Sequence, residues 1–353
     1  MPGRRPTARR PMRLRVALGG LLVVQLLVAC GPASSRSTSP LASGSASSPT
    51  PLTVGLGYIP SVQFAQFYLA QKAGYYRDAG LQVTFQNKID PDLVTLVGQG
   101  TIDVGISDGT SVIPAVSQGI PVRYVATIYA QFPNVVYAKQ ASGIKTAADL
   151  RGRKLGTPGK YGSSWIMLQA LLSSAGLKPS DLDIELYPDF GQGAALAQGA
   201  VDAATGFINN EPVQLELSGT PSTVLRVDQA VPLPGNGLIA GATAISNKAP
   251  QLRAFIAATL RAMHEIEADP QKGLDAAIAA VPELGQDRRT QLAILKATIG
   301  TWSNDYTAAH GAGAIDPSAW AKTVTFMAGL SGSPISGTPP RVPQLVDTSL
   351  LPS

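Results

Sequence analysis

Gln99-Gly100-Thr101-Ile102-Asp103-Val104 returns 99 residues later as Gln198-Gly199-Ala200-Val201-Asp202-Ala203. In each copy a helical pattern stops at a glycine, which tolerates the left-handed backbone that closes a helix, and a short apolar strand begins directly after it. The same offset lays Gly57, at the end of the first apolar run, on Gly156, at the end of a later one, and each is followed by a proline-bearing turn and a helix. Such a repeat implies two lobes of similar β/α build.

Outward from these segments, the chain alternates short apolar runs with longer helical patterns from Leu52 on, which reads as α/β with largely parallel strands. Strands are predicted over 52–58, 81–86, 102–106, 122–129, 135–138, 154–157, 184–187, 201–206, 224–227 and 237–245. Beyond Asn247 only helical patterns continue, to about Gly329, with Pro250, Pro270, Pro282 and Pro317 near their starts. Parallel α/β sheets bind ligands beyond the carboxyl ends of their strands. Applied to both lobes, that rule selects segments 58–64 and 107–111 in one and 161–165 and 209–212 in the other, facing across a cleft.

Each segment carries groups that suit a flat, polar ligand, and each has a plainer use. Tyr58 and Gln63 place a ring and an amide at a strand-to-helix turn, where free backbone N–H groups also donate; Phe64, Phe67 and Tyr68 stand at helical spacing and fill a core equally well. Ser107 and Asp108 end the strand of the first repeat. The stretch 154–165 invites a phosphate-loop reading but fails it, because Lys154 and Tyr161 occupy the places that a P-loop gives to glycine and to Ser or Thr. What remains is a turn with Ser163 and Ser164 at a helix start beside Tyr161 and Trp165; N-caps and a core tryptophan are the plainer use. Asn209, Asn210 and Glu211 offer two amides and a carboxylate, or a cap and a charge that complements the next helix dipole.

Catalytic patterns are sparse. The two histidines, His264 and His310, belong to no metal or triad spacing and read as surface or packing residues. A metal site is not expected.

At the N-terminus, Arg4, Arg5, Arg9, Arg10, Arg13 and Arg15 precede an uncharged apolar run over 16–29, the layout of a secretory signal at 1–29. The run is short for a membrane span, which needs about 20 apolar residues. It ends Leu27-Val28-Ala29-Cys30, which resembles the lipobox of bacterial lipoproteins, so Cys30 is the expected lipidation site. Cys30 is the sole cysteine, which excludes an internal disulfide. Residues 31–51 are Ser, Pro, Gly, Ala and Thr with little else and make, with Cys30, a flexible linker over 30–51. The first fifteen residues hold six of the 28 basic residues, so the 22 that remain face 23 acids, and the footprint of a nucleic-acid binder is missing.

The runs Gly57-Tyr-Ile-Pro-Ser-Val-Gln-Phe-Ala-Gln-Phe-Tyr-Leu-Ala70 and Ala73-Gly-Tyr-Tyr-Arg-Asp-Ala-Gly-Leu81, then Gly98-Gln-Gly-Thr-Ile-Asp-Val-Gly-Ile-Ser-Asp108, Ile144-Lys-Thr-Ala-Ala-Asp-Leu-Arg-Gly-Arg-Lys-Leu-Gly156 and Asn209-Asn-Glu-Pro212, resemble the solute-binding proteins of ABC importers. They are most similar to the branch with alkanesulfonate and taurine binders and thiamine-pyrimidine synthase-like proteins, and within it to bacterial riboflavin-binding components. The resemblance implies a two-lobed periplasmic-binding-protein fold of type II, with lobe one at 52–137 and 236–330, lobe two at 138–235, and a tail at 331–353 that wraps or frays. It further implies a monomer on the extracytoplasmic face, held to the membrane by its lipid, that closes on a small molecule and delivers it to a permease and its ATPase subunits. Riboflavin enters as transported ligand, with no cofactor and no catalysis; Tyr58, Tyr161 and Trp165 would stack on its ring, and Gln63, Ser107, Asp108, Asn209, Asn210 and Glu211 would meet its polar edges. A thiamine-precursor pyrimidine, an alkanesulfonate or taurine, and a ligand-sensing surface receptor are the alternatives. The fungal synthase of this branch uses a cysteine-rich run and a histidine, and this chain has no cysteine after Cys30.

Overall fold

Ten strands form two five-stranded sheets in a computed structural model that describes residues 48–87, 93–228, 232–330 and 332–352. The signal peptide, Cys30 and the linker to residue 47 lie outside the described residues.

The first sheet takes β1 (Thr50–Gly55), β2 (Leu81–Gln86), β3 (Val104–Ser107), β4 (Val122–Thr127) and, from much later in the chain, β10 (Gly237–Gly241), in the order β2-β1-β3-β10-β4. The second takes β5 (Asn134–Lys139), β6 (Lys154–Thr157), β7 (Asp183–Leu186), β8 (Ala203–Phe207) and β9 (Ser222–Leu225), in the order β7-β6-β8-β5-β9. The α/β reading holds. Each sheet is mixed, however: β10 runs antiparallel to β3 and β4, and β5 antiparallel to β8 and β9. The odd strand in each is the one that enters from the other lobe.

All ten predicted strands are present, with boundaries moved by packing. β1 starts at Thr50, inside the stretch read as linker, because Leu81 and Gln82 offer it pairing partners. β10 stops at Gly241, short of 245, where the helix Ala242–Ala268 begins. Residues 134–137, assigned to the first lobe from the sequence, pair in register with β8 and so belong to the second sheet. Pro270, Pro282 and Pro317 open their helices, and Pro250 stands in the first turn of the longer part of Ala242–Ala268, which breaks at Lys248 two residues earlier. Proline lacks the N–H that would close that turn and crowds the carbonyl before it.

The repeat has a structural cause. Oδ2 of Asp103 accepts the backbone N–H of Thr53 at 2.9 Å, and Oδ2 of Asp202 accepts that of Lys154 at 2.9 Å, so each aspartate fastens the neighbouring parallel strand. Register pairs Val54 with Val104 and Leu155 with Ala203. Gly55, not Gly57, is therefore the counterpart of Gly156. At both positions the missing Cβ makes room for the first described residue of a helix, Leu93 against Gly55 and Gln192 against Gly156.

Around the first sheet, Phe67 stacks on Phe255 (6.2 Å between ring centres) and Phe255 on Tyr76 (5.0 Å), which fixes the helix Ala65–Lys72 against Ala242–Ala268. Each ring is buried, worth roughly 2–3 kcal/mol apiece. Phe67 and Tyr68 are core residues. The tail wraps: Val346 bridges to Tyr124, Asp347 donates its N–H to the Tyr124 carbonyl, and Leu345 and Leu350 are buried, so the open edge of β4 is covered. His264 is exposed, and His310 stacks on Tyr306. No helix among the described residues is long and apolar enough to cross a membrane.

Candidate functional site

The strand ends selected from the sequence meet at a cavity of about 260 Å³ between the two sheets. Ten of the twelve candidate residues line it: Tyr58, Gln63, Phe64, Ser107, Asp108, Tyr161, Ser163, Ser164, Asn210 and Glu211. Trp165 and Asn209 do not.

Each wall follows from its local sequence. After β1, Ser61 caps a short turn, its hydroxyl accepting from the Gln63 N–H and from Gln63 Nε2, which orients that amide. Phe64 follows, 8 % exposed, as part of the floor. After β3, Asp108 caps the helix Gly109–Ser117: Oδ1 accepts the N–H groups of Thr110 and Ser111 and the Thr110 hydroxyl at 2.6 Å. Burial holds this carboxyl above its ordinary range, while Thr110, the Ser163 hydroxyl of the opposite lobe and the two backbone donors act to lower it. In the second lobe the helix Gly162–Ser174 points its N-terminus at the cleft, with Tyr161 exposed at the rim. Ser164 donates to Asn134 Oδ1 at 2.8 Å.

Beyond β8, Asn210 precedes the helix Glu211–Leu217 without a side-chain cap bond; its Oδ1 accepts from Gln214 instead. Glu211 Oε2 accepts the Phe207 N–H at 2.8 Å. Burial raises the Glu211 pKa above the usual carboxylate range. It also raises that of Tyr58, with the Glu211 charge acting the same way.

Asn209 lies outside the cavity wall and ties the lobes together. It is buried, and Nδ2 donates to Gln63 Oε1 at 2.9 Å and to Thr298 Oγ1 at 2.8 Å, both in the first lobe. Trp165 also lies outside the cavity wall. It packs against the second-lobe core beside Met167, Leu168 and Leu171. That helix is apolar on most sides, so spacing alone does not separate its cleft face from its core face.

Sequence reasoning missed several lining residues. Phe190 meets Tyr58 edge to face across the cleft, 5.1 Å between ring centres. It is the sole non-glycine with positive φ among the described residues, at 61°, a conformation that costs about 1–3 kcal/mol and gathers at functional positions. Gln66, Gln192 and Asn236 also line the cavity, and their buried side-chain oxygens have no hydrogen-bond partner among the described residues. A visible signal existed for Gln66 alone, as an amide amid the apolar run Phe64–Ala70. Asn236 lies at the crossing of the lobes, where its carbonyl accepts the N–H groups of Ile128 and Tyr129. Among the described residues no three His, Cys, Asp or Glu side chains gather as for a metal ion.

The pattern of the NMT1/THI5-like family matches residues 61–273, from Ser61 at the cleft turn through both sheets. The chain belongs to the NMT1/THI5-like family. Among curated relatives of this NMT1/THI5-like chain, the riboflavin-binding protein RibY of Chloroflexus aurantiacus is 33 % identical, over 92 % of this chain and 95 % of that one. The 4-amino-5-hydroxymethyl-2-methylpyrimidine phosphate synthase of Legionella pneumophila is 26 % identical, over 66 % and 74 %. The alkanesulfonate-binding protein SsuA of Xanthomonas axonopodis, solved with MOPS, superposes with a TM-score of 0.63 over 84 % of this chain and 98 % of that one at 18 % identity. The two-lobed periplasmic-binding-protein fold is thereby shown.

Proposed function

We propose that this protein is the solute-binding component of an ABC importer, that it captures riboflavin by closure of its lobes and hands it to a permease, and that it is not an enzyme. The observation that carries the reading is the cavity wall. Tyr58, Phe64, Phe190 and Phe207 give a flat ring apolar faces, and the unpartnered amide oxygens of Gln66, Gln192 and Asn236 among the described residues suit donors on the polar edge of a heterocycle. The likeness to RibY supports the same choice. An alkanesulfonate fits less well, because no Lys or Arg is among the described lining residues and Asp108 and Glu211 are. A thiamine-precursor pyrimidine keeps one argument, the Glu211 carboxyl as partner for a ring amine, together with the likeness to the synthases.

Lipid on Cys30 and a linker of about twenty residues would keep the protein on the extracytoplasmic face as a monomer within roughly 25 Å of the membrane. The purified chain from Gly31 on, titrated with riboflavin, hydroxymethylpyrimidine and taurine while its intrinsic tryptophan fluorescence is followed, tests the assignment. Riboflavin is expected to quench with submicromolar affinity. No response at about ten micromolar, where even a modest site would fill, would overturn it.

A further inference from the structure

Beyond the Tyr58–Phe190 pair lies a second hollow, of about 540 Å³, that shares Tyr58, Phe190, Asn210 and Glu211 with the first. Both have mixed walls, and the outer one is the more polar of the two. Leu56, Ile106, Ile128 and Phe207 add apolar surface to the inner cavity, whereas Ser61, Asp189, Gln214, Ser218 and Gln291 bring polar groups to the outer one among its apolar neighbours.

One side chain there has no internal explanation. Tyr137 in β5 is 1 % exposed and lines the outer hollow, yet its hydroxyl has no hydrogen-bond partner among the described residues. A buried hydroxyl without a partner is costly and calls for one from outside the chain. Gly193 borders that hydroxyl, since a Cβ at that position would stand 3.1 Å from it and 3.4 Å from Glu211 Cγ. The charges nearby are of one sign: Asp189 and Glu211 line the outer hollow, and no Lys or Arg does among the described residues.

We infer that the outer hollow is a second subsite, which takes the neutral, hydroxyl-bearing arm of a ligand whose flat ring occupies the inner cavity, and that it disfavours the same arm ending in phosphate. Tyr137 and Glu211 are the hydrogen-bonding groups for the arm, and Tyr58 with Phe190 marks the junction of arm and ring. The inference rests on the flavin reading above.

Three flavins separate the two. Riboflavin carries ring and arm, lumichrome the alloxazine form of the ring without the arm, and flavin mononucleotide the ring and an arm that ends in phosphate. Titrated against the purified chain from Gly31 on, riboflavin is expected to bind about ten-fold more tightly than either of the others, the worth of one to two hydrogen bonds. Tyr137→Phe is expected to lower the riboflavin-to-lumichrome affinity ratio about five-fold, one neutral hydrogen bond. Gly193→Ala, which crowds the same hydroxyl, is expected to lower the ratio in the same direction and carries the test if Tyr137→Phe does not fold, as judged by its melting curve. Equal affinity for riboflavin and lumichrome, or an unchanged ratio in both variants, would overturn the subsite and leave the flavin reading intact. Failure of all three flavins to bind would remove both.

Discussion

Asn209→Ala should weaken ligand binding far more than its position outside the cavity suggests. The side chain donates two buried hydrogen bonds, at 2.9 Å to Gln63 and at 2.8 Å to Thr298, and both run from the second lobe to the first. A buried neutral hydrogen bond is worth about 1 kcal/mol net. Thr298 keeps its own donation to the Ile294 carbonyl, but Gln63 Oε1 loses its partner, so the total is about 2 kcal/mol. When the lobes part, water replaces these partners, so the loss falls on the closed arrangement alone. If closure is driven by ligand, about 2 kcal/mol becomes a roughly 30-fold rise in Kd. The assay is a fluorescence titration beside small-angle scattering of the ligand-free protein. A Kd within about two-fold of wild type and unchanged scattering would refute the tie between lobes.

Two further outcomes follow from the site. Phe190→Gly relieves a left-handed backbone and removes a ring from the cleft, so its melting temperature should hold or rise while its affinity falls about ten-fold; a parallel loss of both would return Phe190 to an ordinary packing role. For Glu211, burial lifts the folded pKa above its ordinary 4.5, so the folded state holds the proton longer than the unfolded chain, and stability contributed by this group falls as pH rises from that value through the raised one. Asp149, Glu185 and Asp287, held low by local donors, run the opposite way and are lost as pH falls. The difference in urea-unfolding free energy between wild type and Glu211→Gln isolates the effect, and should shift toward the variant as pH rises above the ordinary value of 4.5; a constant difference would disprove it.

What the sequence made legible was whatever repeats or alternates. Strand positions emerged because apolar runs of four to nine residues recur between helical patterns, and the aspartates at 103 and 202 recur because each fastens a neighbouring strand in the same way. The cleft emerged because strand ends in parallel sheets fix it. The parts that stayed hidden depend on tertiary geometry. Phe190 has no periodic context, Gln192 and Asn236 are polar residues at ordinary loop and helix edges, and adjacent Asn209 and Asn210 differ only in where the backbone aims them. The two-residue slip between Gly57 and Gly55 arose because a shared offset was carried from one strand to another across loops of unequal length.

The place of β10 also sets an order of assembly. The second sheet is complete in one continuous stretch, from Asn134 to Leu225, whereas the first must wait for Gly237–Gly241 to enter between β3 and β4. As the chain emerges from its N-terminus, by synthesis or by passage through a membrane, the second lobe can therefore be finished while the first still has an open seam beside β3. The late strand then closes that seam with pairings on both sides, and so links completion of the first lobe to the prior appearance of the whole of the second.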